Sequence, residues 1–149
     1  MQAPACQIEE MNVPALMFED ICRNLPGNTN WPGSFYEQLA EHGIWNTKEF
    51  WLLHRDLVLA ANKLRDVGSV DKQFALTIVR LQATVDRLFS AHFDENDVFK
   101  ILAIDNELGT VLNSDELHAF KERFDLAVTG VFSGEIFPEY AFELVNPLL

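Results

Sequence analysis

The stretch from Ser69 to about Phe93 constrains the fold more than any other part of this chain. Val70, Phe74, Ile78, Leu81, Val85 and Leu88 recur at steps of 4, 4, 3, 4 and 3, the spacing that lines apolar side chains along one face of an α-helix. Lys72, Arg80, Asp86 and Arg87 fall on the other face, and Ser69 is a residue type suited to the N-cap. One apolar stripe of this length has to be covered by neighbours, because helical stability in proteins comes mostly from packing of the amphipathic face.

The rest of the sequence offers those neighbours as further helices. Upstream, Asn46 or Thr47 caps a segment with Phe50, Leu53, Leu57, Ala61 and Leu64 on one side, and Gly68 stops it. Leu52 and Leu59 fall on its opposite side, so this helix is expected to have neighbours on two faces and to sit centrally. Downstream, Ser114 is expected to cap a helix carrying Leu117, Phe120, Phe124, Ala127 and Val131, with Asp115 and Glu116 in the first turn against the helix dipole and Gly130 fraying the end. Shorter helices are expected over Val13–Asn24, Ser34–His42 before Gly43, and Pro138–Val145. Val98, Ile101 and Leu102 suggest one more short helix. No strand-length alternation stands out, although Gly109-Thr110-Val111-Leu112 can pair locally. The expectation is an all-α fold: a single-domain irregular helical bundle of six or seven helices spanning 1–149, with 1–11 a poorly ordered N-terminal extension.

Charge, more than any other compositional property, narrows the function. The net charge is −12, and its distribution is uneven. Residues 1–47 hold six acids against one base, 48–93 five against seven, and 94–149 twelve against three. Such a field repels phosphate backbones and anionic membranes and attracts basic proteins, so neither direct nucleic-acid binding nor membrane association is expected. No apolar run approaches a membrane span. The first residues, MQAPACQIEEM, lack a basic segment followed by an apolar one, so no secretory signal is read and the expected location is cytoplasmic. Cys6 and Cys22 have neither CxxC spacing nor a nearby His cluster, and are read as free thiols.

Several patterns imitate catalytic or metal chemistry and fail on spacing. His54-Arg55-Asp56-Leu57 looks like a kinase catalytic loop, but Asn62 is one residue too late, no Gly-rich phosphate loop exists, and the letters lie within an expected helix. Counting an EF-hand from Asp94 or from Asp105 puts Phe99 or Thr110 where the sixth-position Gly belongs. His42, His54, His92 and His118 form no HExxH and no paired Glu-x-x-His, and are read as structural. No Ser lies in GxSxG, and neither Cys has a context that lowers its pKa. No enzyme, metal or cofactor is expected.

The run Asn30-Trp31-Pro32-Gly33-Ser34-Phe35 has a structural explanation of its own. Pro32-Gly33 turns the chain, Ser34 can cap the next helix, Phe35 and Leu39 face the core, and Trp31 staples the joint. Together with Leu39, Gly43-Ile44-Trp45, Phe50-Trp51-Leu52-Leu53 and Asp56-Leu57, the run resembles the opening of small helical immunity proteins of bacterial contact-dependent growth inhibition and related polymorphic toxin systems. The resemblance covers about residues 28–60. It implies an antitoxin that binds one cognate toxin domain, and many such toxins are nucleases with basic clefts. On that reading Asp94, Glu95, Asp97, Asp105, Glu107, Asp115 and Glu116 form the partner-binding surface, with one or two exposed aromatics as anchors. Trp31, Pro32, Gly33, Ser34 and Phe35 serve fold stability. The alternative is an acidic helical adaptor or regulatory subunit for another basic protein. Oligomeric state is not readable from the sequence.

Overall fold

The computed structural model describes residues 18–105 and 110–149; at 103–105 and 110–111 the description is of the backbone alone. The expected N-terminal extension and the first part of the Val13–Asn24 helix lie outside the described residues. Four long helices dominate what is described: α2 (Phe35–His42), α3 (Thr47–Leu64), α4 (Lys72–Phe93) and α5 (Ser114–Ser133). A single turn, α1 (Glu19–Cys22), precedes them, and a 3-10 turn at Glu139–Ala141 follows. The chain is therefore mostly helical, with five α-helices among the described residues rather than six or seven.

The stripes read from the sequence are the faces that meet. On α3, Phe50, Leu53, Leu57, Ala61 and Leu64 are buried, and on α5 so are Leu117, Phe120, Phe124, Ala127 and Val131. Helices α3 and α5 form the most extensive helix pair. Phe74, Ile78, Leu81, Val85 and Leu88 of α4 complete one apolar cluster with Phe18, Ile21, Phe35, Leu39 and Trp45. Its centre is aromatic: Phe35 meets Trp45 edge-on at 4.9 Å and Phe50 at 5.5 Å, while Phe120 meets Phe50 at 5.1 Å. Such ring pairs add about 0.5–1.5 kcal/mol each beyond burial. Helix α3 is central, but its second face is only partly covered, since Leu52 is half-buried and Leu59 is 36% exposed.

The run at 30–35 works as a joint. Ser34 Oγ accepts from Glu37 N and caps α2, while Glu37 Oε1 accepts in return from Gly33 N. Gly33 has φ 81°, a conformation costly for any other residue. Trp31 packs on Tyr36 at 5.0 Å, and the Arg23 guanidinium donates to the carbonyls of Asn30 and Pro32. Tyr36 and Thr84 share a 2.8 Å hydroxyl hydrogen bond that ties α2 to α4.

Several local expectations are corrected. Asp71 caps α4 in place of Ser69, because its carboxylate accepts from Phe74 N. Helix α3 ends at Leu64, before Gly68. Asn113 caps α5 in place of Ser114, forming a reciprocal capping box with Glu116. Gly130 does not fray this helix: it is buried where the returning chain crosses, and a Cβ there would lie 2.8 Å from Glu135 O. The end falls instead at Gly134, with φ 76°. Between α4 and α5 the expected helix at 98–102 is absent. Strands β1 (Ile44–Asn46), β2 (Leu102–Asp105) and β3 (Thr110–Val111) make a small sheet, β1 parallel to β2 and β2 antiparallel to β3. Asp94 and Asp97 each accept from the backbone N–H two residues on, and Lys100 Nζ takes the carbonyls of His92, Asp94 and Asp97. These side-chain bonds occupy backbone groups that a helix would need. The Pro138–Val145 helix is reduced to the 3-10 turn, and the chain after it is held by side chains, Leu144 O accepting from Arg123 and Asn146 N donating to Glu139. Cys22 is buried and disulfide-bonded, correcting the free-thiol reading; Cys6 lies outside the described residues.

Candidate functional site

Two regions carry polar chemistry, and they differ in character. The first is the acidic stretch at the C-terminal end of α4 and the start of α5. Phe93, the last residue of α4, lies 4.7 Å from the His118 ring, one turn into α5, and Phe89 lies 5.2 Å from the same ring. This contact brings Asp94, Glu95 and Asp97 to the same end of the molecule as Asp115 and Glu116. All but Asp97, which is half-buried, are exposed. Asp105 is described only through its backbone, in β2 opposite Thr110; Glu107 lies outside the described residues. The acids also have local duties, for Asp94 and Asp97 hold turns and Glu116 closes the capping box. Lys100 is the basic residue within this stretch, and its ammonium is directed at three backbone carbonyls. His92 Nδ1 accepts from Ile101 N at 2.8 Å; burial and the Lys100 charge hold its pKa below the usual value.

Beside this end runs a groove between α4 and α5, lined by Asp86, Phe89, Ser90, Phe93, His118 and Lys121. Phe93 is 41% exposed there. Lys121 Nζ sits 2.6 Å from both Asp86 and Asp125, and 5.8 Å from the centre of the Phe89 ring. Burial works against this ammonium, but hydrogen bonds to the two carboxylates outweigh it and raise its pKa.

The second region is buried and looks catalytic by composition alone. Arg123, 3% exposed, forms a two-pronged pair with Glu139 at 3.1 and 2.5 Å, donates to Leu144 O at 2.6 Å, and lies 3.9 Å above the Phe142 ring. Asn146 donates from Nδ2 to Trp51 O and to His54 Nδ1, while its Oδ1 accepts from Leu148 N. Arg123 Nη2 faces His54 Nε2 at 3.2 Å, so each ring nitrogen meets an N–H donor and no acceptor is offered to a second ring proton. Burial first, and the guanidinium second, push the His54 pKa down to about 4. An imidazole held neutral between two N–H donors is a poor general base at neutral pH. The cluster instead fastens the returning chain 135–149 across α3 and α5.

A smaller buried acid, Asp56, plays the matching part on the opposite side of α3, two residues from His54. Its Oδ2 accepts from Asp20 N at 2.7 Å, fixing α1 against α3. Burial raises its pKa to about 6, against the backbone hydrogen bond and with the Asp20 carboxylate. Among the described residues no group of three or more His, Cys, Asp or Glu is arranged to hold a metal, and no helix is long and apolar enough to cross a membrane.

Sequence reasoning missed Phe89, Phe93, His118 and Lys121 as a group, because two elements had to be docked before they met. It also missed the Arg123 cluster, for which a signal existed. Arg123 falls between Phe120 and Phe124 on the apolar stripe of α5, and a charge placed inside a stripe has to find buried partners. Comparison with protein-family models, with curated proteins and with solved structures returns no match for this chain.

Proposed function

We propose that this protein is an immunity protein that binds and neutralises a cognate toxin domain, a basic nuclease, without catalysing a reaction itself. The observation that supports this most is the gathering of Asp94, Glu95, Asp97, Asp115 and Glu116 at one end of a rigid helical body. Carboxylates held there lie where the phosphates of a substrate would meet a basic cleft, and their field accelerates encounter with a positive partner. Binding takes place in the cytoplasm on this reading, although the bridge at Cys22 is a feature more usual in oxidising compartments.

The buried clusters fit the same role by making the scaffold stiff. A preorganised surface loses less entropy on association than a flexible one. The run at 30–35 belongs to this scaffold, since its contacts point inward to α2 and Arg23. The test is co-expression with the toxin domain encoded by the adjacent gene. Restored growth together with a stable one-to-one complex is the expected result. Growth arrest despite folded, abundant protein overturns the proposal, and a stable complex with a basic protein that is harmless to cells favours the adaptor alternative.

A further inference from the structure

We infer that the groove between α4 and α5 receives an arginine side chain of the basic partner, with Phe93 as its stacking platform; this rests on the reading of the acidic end as the docking face. The floor is aromatic and continuous: Phe89 meets Phe93 at 5.1 Å, and His118 touches both rings. The surroundings are negative. Asp86 lines the groove, Asp94 follows Phe93 directly, and Asp115 and Glu122 lie one turn before and one turn after His118 on α5. Two cations are near: Lys121 lines the groove with its charge compensated by two carboxylates, and Lys100 Nζ, beside Phe93, donates to the carbonyls of His92, Asp94 and Asp97.

These features select among occupants by their chemistry. An apolar side chain would strip water from Asp86, Ser90 and Lys121 without replacing their hydrogen bonds. An ammonium would answer the carboxylates but keeps its hydration, so the rings would add little. A guanidinium is flat and weakly hydrated, stacks on aromatic faces and donates from its edges to carboxylates, so it matches floor and rim together. At the inner end of the groove the ring and carboxylates are already met by the chain's own ammonium, Lys121 over Phe89 between Asp86 and Asp125. At the outer end Phe93 is 41% exposed.

The probes are two capped tripeptides, Arg-Gly-Arg and Lys-Gly-Lys, titrated into the full chain at low and at physiological salt and followed by NMR. The expected result has three parts: amide shifts concentrated at Phe89–Asp97 and Asp115–His118, nuclear Overhauser contacts from arginine methylenes to the Phe93 ring, and preference for the arginine peptide. Phe93→Leu keeps apolar bulk and removes the ring face, and it should weaken the arginine peptide about threefold and erase the preference. If that variant fails to fold, the contacts to the Phe93 ring in the native chain decide alone. Binding at the acidic end without those contacts, or an unchanged preference in Phe93→Leu, overturns the groove and leaves the acidic docking face standing. No binding of either peptide at low salt overturns both.

Discussion

Asp56→Asn tests whether the two buried titrating groups on α3 balance each other. His54 titrates at about 4 in the folded chain against an ordinary 6.5. Between pH 7 and 4.5 the unfolded chain therefore takes up a proton that the native one refuses, and the native state loses about 2 kcal/mol. Asp56 titrates at about 6 against an ordinary 3.8. Here the native state takes the proton first, so the same fall in pH returns about 2 kcal/mol. The stability from neutral His54 is complete above pH 6.5 and lost toward pH 4, whereas the cost of ionised Asp56 is complete above pH 6 and relieved toward pH 3.8. Asparagine keeps an acceptor for Asp20 N and cannot titrate. Urea unfolding followed by the fluorescence of buried Trp45 and Trp51 measures the result. Relative to the native chain, the variant should lose an extra ~2 kcal/mol between pH 7 and 4.5. A gap between the two curves that stays constant to within about 0.5 kcal/mol refutes the reasoning.

Arg123→Met removes the charged partner of Glu139 and leaves Leu144 O without its donor. The expected loss is about 3 kcal/mol, with faster proteolysis after Gly134; an unchanged cleavage pattern would mean that the returning chain is held by other contacts. Gly43→Ala puts a Cβ 2.9 Å from Lys100 O at φ 65°, so a cost of at least about 1–2 kcal/mol is expected, with hydrogen exchange rising at Leu102. A neutral effect would show that β1 and β2 separate freely. Trp31→Ala should cost about 1 kcal/mol through lost packing on Tyr36 while affinity of the folded fraction for the proposed partner is unchanged. Weakened affinity at full stability would move the 30–35 run to the interface.

The long amphipathic segments were readable because each carries its own period. Phe50, Leu53 and Leu57 are as apolar in the sequence as they are buried in the fold. The Ser34 cap and the Gly33 turn were equally local, each settled by residues within one turn of chain. What the sequence hid depends on partners far along it. The register of β1 on β2 pairs Ile44 with Leu102, and neither short strand shows alternation of its own. The 138–145 segment looks helical by its flanking prolines, yet it is largely extended, with Leu144 O held by Arg123 from far along the chain. At the acidic end, the sequence showed the charge but not the Phe93–His118 contact that gathers it.

The central claim is that the acids of 94–116 steer a basic partner onto this end of the molecule. Its most direct test is the association rate with the proposed basic partner, measured by stopped flow across ionic strength. The comparison is with a variant carrying Asn or Gln at Asp94, Glu95, Asp97, Asp105, Glu107, Asp115 and Glu116, substitutions that retain acceptors for the turns and the capping box. The account predicts a rate that falls steeply with salt in the native chain, and a slower, nearly salt-independent rate in the variant. Equal rates at low ionic strength would contradict it.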